Sequence, residues 1–73
     1  MIELRFRSDL YSGYAIDAAA KVYAEFARCE LEQSAEAWIV RLTGSGAHDE
    51  QIIADELANY ALGATIEEKK PAV

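Results

Sequence analysis

The chain has 73 residues, 52% of them hydrophobic and 27% charged, with a formal net charge of -6 at pH 7. That size gives one core at the edge of self-sufficiency, so disorder is not expected and help from a partner surface is. The acidic balance disfavours a nucleic-acid surface, which rests on clustered Lys and Arg, because the seven basic residues are spread along the chain.

Ile2, Leu4 and Phe6 alternate with Glu3, Arg5 and Arg7, the period-two signature of a strand with one buried and one wet face. Ser8 and Asp9 break that rhythm with turn residues. The segment around which the rest is arranged follows: LYSGYAIDAAAKVYAEFARC, Leu10 to Cys29. Within it Ile16, Ala19, Ala20, Tyr23 and Ala27 recur at helical spacing, with Asp17, Lys21, Glu25 and Arg28 on the remaining arc. Ser12 is the expected N-cap, so the helix begins near Gly13, with Leu10 packed beneath its start and Asp17 close to its positive end. A buried side made mostly of alanine admits another backbone closely, which lays this helix flat on a sheet or tightly against a second helix.

Cys29, Leu31 and Gln33 alternate with Glu30, Glu32 and Ser34 to give a weak second strand, and Ser34, Ala35 and Glu36 read as a hairpin tip. In the third strand Trp38, Val40 and Leu42 share one face, with Ala37, Ile39, Arg41 and Thr43 on the other. Trp38 is the expected core anchor, and Arg41 is placed to pair across strands with Glu30 or Glu32. Gly44, Ser45 and Gly46 turn the chain; they lack the Walker lysine and the spacing of a nucleotide fingerprint. From about Asp49 a second helix carries Ile53, Leu57, Tyr60, Ala61 and Ala64 on one stripe, with Ile52 and Ile66 off it. Gly63 marks a close crossing, a kink or an early C-cap, and Pro71 stops the pattern, leaving 71–73 to fray.

The order β-α-β-β-α makes residues 1–70 a single α+β domain. Its three-stranded sheet has the third strand in the middle and two helices on one face, a truncated ferredoxin-like fold without its last strand. The first strand is then an edge whose free amides must be covered, blunted or paired with another chain.

Little here carries a reaction. One histidine, His48, and one cysteine, Cys29, cannot supply the three or four ligands of a zinc or iron-sulfur site, and no EF-hand loop is present, so neither metal nor cofactor is expected. Cys29 lies on the inward parity and reads as an inert packed thiol, His48 as a solvated or capping residue, and Tyr11, Tyr14, Tyr23 and Tyr60 as packing residues with hydroxyls at the rim. A lone cysteine and the absence of a long apolar run predict a cytoplasmic protein with neither signal peptide nor membrane span. Two acidic groups stand out, Glu30, Glu32 and Glu36, then Asp49, Glu50, Asp55 and Glu56; both read first as solvated faces, with docking on a basic partner as the alternative and Asp49, Glu50, Asp55 and Glu56 as the candidate site for it.

Three stretches, LYSGYAIDAAAKVYAEF at Leu10 to Phe26, AWIVRLTG at Ala37 to Gly44 and DELANYALGATIEEKK at Asp55 to Lys70, give a sequence that resembles the HxsD family of small proteins. The resemblance covers most of the chain and rests on packing patterns. It implies an accessory role beside radical S-adenosylmethionine enzymes that mature a peptide with His-Xaa-Ser repeats, and it offers no catalytic residue to carry over. The expectation is therefore a non-enzymatic, homodimeric module that binds a peptide or a maturation enzyme and neither nucleic acid nor membrane. The alternative is a structural homo-oligomer with no ligand.

Overall fold

A computed structural model describes residues 1–46 and 48–69, so the fraying expected at 71–73 lies outside the described residues. Strand β1 runs over Ile2–Arg7, helix α1 over Gly13–Val22, β2 over Ala27–Gln33, β3 over Ala37–Gly44 and helix α2 over Glu50–Lys69. The three strands form one sheet in the order β1-β3-β2, and both pairings are antiparallel. This is the expected α+β architecture.

The register follows from the period-two pattern. Ile2, Leu4 and Phe6 stand opposite Leu42, Val40 and Trp38, and Cys29, Leu31 and Gln33 stand opposite Leu42, Val40 and Trp38 from the other side. Every apolar row therefore crosses the sheet on one face, since a slip of one residue would turn each row to water. Both helices cover that face. Ile16 and Ala19 of α1 and Ile53, Ala54, Leu57 and Ala61 of α2 join Phe6, Val40 and Leu42 in one buried cluster. Ile16, Leu42, Leu57 and Val40 are its largest fully buried side chains.

Ser12 caps α1 as expected, its Oγ accepting the Ala15 N–H at 3.4 Å. Its own N–H donates to Oγ1 of the buried Thr65 at 3.3 Å, which ties the start of α1 to α2. Asp17 pairs with Lys21 one turn along, at 2.8 Å.

Several expectations are corrected. Helix α1 ends at Val22, not near Cys29, and Tyr23 to Phe26 form a turn in which the Ala27 N–H donates to the Tyr23 carbonyl. The ladder decides this boundary: Ala27 and Cys29 pair with Gly44 and Leu42, and that pairing overrides the good helix formers Ala24 and Glu25. Leu10 is exposed, and Tyr11 instead packs edge-on against Phe6 with ring centroids 4.9 Å apart. Trp38 is only half-buried at the margin of the core.

Ile39, on the face assigned to water, is 5% exposed. Its cross-strand neighbours are Arg5 and Glu32, and the aliphatic stem of Arg5 is long enough to lie over it. In α2, Gly63 neither ends nor tightens the helix, which continues to Lys69, and a Cβ at Gly63 meets nothing within 4 Å. Tyr60 is exposed rather than part of the buried stripe, while Ala54 and Thr65 are buried in addition to Ile53, Leu57 and Ala61.

Candidate functional site

Hydrogen bonds at the strand ends fix which backbone groups the sheet leaves free. The Ser8 N–H donates to the Glu36 carbonyl, so in the antiparallel ladder the even residues of β1 bond to β3 and Glu3 and Arg5 turn their amides and carbonyls outward. The Ser34 N–H likewise donates to the Ala37 carbonyl, so Glu30 and Glu32 bond to β3 while Cys29, Leu31 and Gln33 face outward. Both β1 and β2 are edges, where the sequence singled out only the first.

The two edges differ in what lies beside them. At the end of β1 a hollow is lined by Arg7, Ser8, Asp9 and Glu36, with no apolar side chain among them. Along β2 there are two mainly apolar grooves. One, of about 470 Å³, is lined by Gly13, Tyr14, Asp17, Leu31 and Trp38. The other, of about 570 Å³, runs from Ala24 to Cys29 and across to Thr43, Gly44 and Ser45.

Within the first groove Tyr14 is 83% and Leu31 39% exposed. The indole of Trp38 lies against Gly13, and its Nε1 is buried without a hydrogen-bond partner. An orphaned donor of that kind is costly in a finished core, by roughly 1–3 kcal/mol. The edge amides of Cys29 and Leu31 thus stand next to exposed apolar side chains. Tyr14, read from the sequence as a packing residue, is instead exposed; the signal that it was not core is its place on the same helical arc as Asp17 and Lys21.

The acidic candidates of α2 do not form one surface. Asp49 starts the helix, its side chain accepting the Gln51 N–H at 2.8 Å and its carbonyl the Ile53 N–H at 3.1 Å. Glu50 turns toward the sheet, where Oε2 accepts the Gly44 N–H at 2.7 Å and Oε1 meets the N-terminal ammonium at 3.2 Å. Those two contacts, the Gly44 amide first, hold its carboxyl below the usual carboxylate range. Asp55 accepts from Gln51 Nε2 at 2.8 Å on another side of the helix. Glu56 shares with Asp49 a groove of about 260 Å³ lined by Tyr23, Phe26, His48, Ile52 and Ile53. His48 in that groove stands edge-on to Phe26, centroids 5.4 Å apart.

The chain's basic residues, spread in sequence, are partly gathered by the fold. Arg5, Arg7, Arg28 and Arg41 all have the parity of the helix-free sheet face, and each pairs with an acid: Glu3, Asp9, Glu30 and Glu32 respectively. Arg41 takes Glu32 of the two partners open to it. Cys29 is half-buried, and desolvation pushes its thiol above the ordinary value, which lowers its nucleophilicity near neutrality. Among the described residues no group of three or more His, Cys, Asp or Glu side chains is placed to hold a metal ion, and no helix is long and apolar enough to cross a membrane.

No family model matches the chain, and comparison with curated proteins and with solved structures finds no match.

Proposed function

We propose that this protein is a non-enzymatic accessory module that binds an extended polypeptide along the free edge of β2. The observation that carries the reading is the juxtaposition of the outward amides of Cys29, Leu31 and Gln33 with the groove of Tyr14, Leu31 and Trp38. Strand addition there draws affinity from main-chain hydrogen bonds and selectivity from an apolar side chain seated on Leu31 and the indole. The likeness to HxsD proteins supports a client peptide undergoing maturation in a radical S-adenosylmethionine system. The β1 edge serves the same mode less well, because the hollow at its end is lined by Arg7, Ser8, Asp9 and Glu36 and offers no apolar side chain to a bound strand. A second reading, a structural homo-oligomer without a peptide ligand, is supported by Ile52, Leu62 and Ile66, which α2 leaves exposed.

The test is an amide-resolved NMR titration of the isotope-labelled chain with short synthetic peptides of alternating apolar and polar residues. Shifts at Cys29, Leu31, Gln33 and the Trp38 indole are expected, little changed by salt and lost in Leu31→Lys. Shifts confined to Asp49 and Glu56, and abolished by salt, would instead assign binding to the acidic end of α2. No response to any peptide favours the structural reading.

A further inference from the structure

We propose that β1 is the seam of a symmetric homodimer, in which it pairs antiparallel with β1 of a second copy and the two sheets join into one. The outward residues of β1 are Glu3, Arg5 and Arg7. The Arg7 carbonyl is already taken, accepting the Leu10 and Tyr11 N–H groups at 3.1 and 3.0 Å. Glu3 and Arg5 thus keep both backbone groups for a further strand. An antiparallel pair that uses both residues in both copies has a single register: Glu3 opposite Arg5 of the copy, with Leu4 opposite its own counterpart on the two-fold axis. Each Glu3–Arg5 pair then exchanges both of its N–H···O bonds across the seam.

Charge selects the same occupant and the same register. On the helix-free face Glu30 stands opposite Arg41, and Arg41 opposite Glu3. Arg5 of the second copy beside Glu3 extends that row as acid, base, acid, base across the seam. Partners directly opposite lie closer, at about 4.5–5.5 Å between Cβ atoms, than the like-charged diagonals at about 7–8 Å, so attraction prevails. A slide of two residues loses the match. In one direction Glu3 meets Glu3 of the copy; in the other Arg5 meets Arg5, and Glu3 meets an Arg7 that Asp9 already holds at 2.7 Å. Within one chain Glu3 and Arg5 approach each other only to 4.0 Å and both are exposed, which leaves them free for this pairing.

On the helix-covered face the same register sets Ile2 against Phe6 of the copy and Leu4 against Leu4. Ile2 and Leu4 pack on the core yet stay partly exposed, and the pairing takes more of their apolar surface from water. The β2 edge has no such self-complementarity. Pairing about Leu31 sets Glu30 against Glu32 of the copy, pairing about Glu30 sets that carboxylate on its own counterpart, and the Ala27 N–H farther along is held by the Tyr23 carbonyl. A seam of one six-residue strand covers less than the roughly 800 Å² per partner of a standard interface, so the dimer dissociates on dilution. It leaves the β2 edge open, and the proposal stands or falls separately from peptide binding.

Sedimentation velocity of the full chain over a dilution series tests it, with the mass expected to rise with concentration to twice that of the chain. Glu3→Arg alone and Arg5→Glu alone each set like charges face to face and should weaken the dimer by about tenfold. The circular dichroism of the dilute protein should stay unchanged, because both side chains are exposed. Mixing the two variants restores an opposite-charge pair at both positions, so the mixture should associate as the parent does. Register is read by oxidative crosslinking in a Cys29→Ser background. Leu4→Cys should crosslink with itself, since its Cα stands about 4.5 Å from its counterpart, and Leu31→Cys on the other edge should not. A monomer at every concentration, a dimer that either charge reversal leaves unchanged, a mixture no stronger than its parts, or a dimer in which Leu4→Cys fails to crosslink overturns the proposal.

Discussion

A Cβ at Gly13 would stand 2.7 Å from Cζ2 and 2.9 Å from Cη2 of Trp38, closer than real side chains approach. Two effects oppose each other in Gly13→Ala: alanine is the better helix former by about 1 kcal/mol, whereas overpacking costs about 1–3 kcal/mol. The clash wins because the ring is wedged between helix and sheet, so urea denaturation should show a net loss. In a Trp38→Phe background the smaller ring gives way and Gly13→Ala should turn neutral or stabilising; the same loss in both backgrounds would place the strain elsewhere. Trp38→Ala should itself cost about 3 kcal/mol, the low end for a large aromatic, since the side chain is only half-buried.

Glu50 shows the same locality in its charge. Because the Gly44 amide and the N-terminal ammonium hold its folded carboxyl below the ordinary value of 4.5, its contribution to stability is present above that value. It is lost as pH falls through the lower folded one. Glu50→Gln should therefore melt below the parent at neutrality, and the gap should close in an acid series. A gap independent of pH would mean that the carboxylate charge does nothing there.

Among the elements, those set by strict alternation were legible from sequence and those set by competition were not. The three strands and the hairpin at Ser34 to Glu36 follow from period-two runs punctuated by turn residues, and the place of β3 between β1 and β2 follows from the right-handed helical crossover that joins those two strands. The end of α1 did not, because Ala24 and Glu25 favour helix locally and only pairing of Ala27 with Gly44 pulls the chain away. Ile39 was assigned to water by parity, and no pattern in one strand reveals that Arg5 and Glu32 flank it across the sheet. The candidate groove was partly legible. Tyr14 on a polar arc was a signal, and a free β2 edge follows from β3 lying in the middle, a consequence drawn from the sequence only for β1; the approach of the Trp38 ring to Gly13 has no signal in the pattern.

Gly63 tests the reading of α2. It sits inside a continuous helix with nothing near its missing Cβ, so Gly63→Ala should stabilise the chain by about 0.5–1 kcal/mol. Melting of the dilute protein checks this. A loss there would reveal a kink or crossing at that point.

For the whole molecule, the governing question is which polar backbone groups are left to water, because a sheet of three strands with two free edges is open to pairing with anything extended. Native-state hydrogen exchange reads this directly. All amides of β3 should be protected, while β1 and β2 should alternate: Leu4, Phe6, Glu30 and Glu32 slow, Glu3, Arg5, Cys29, Leu31 and Gln33 fast. The opposite alternation would mean a register shifted by one residue, which exchanges the buried and wet faces of every strand and removes the β2 groove. The concentration dependence then discriminates between surfaces. If copies associate through the exposed side of α2, the five fast amides stay fast as concentration rises, and only Cys29, Leu31 and Gln33 slow when an extended peptide is added. If instead Glu3 and Arg5 become protected as concentration rises, the copies join edge to edge through β1 into one continuous sheet.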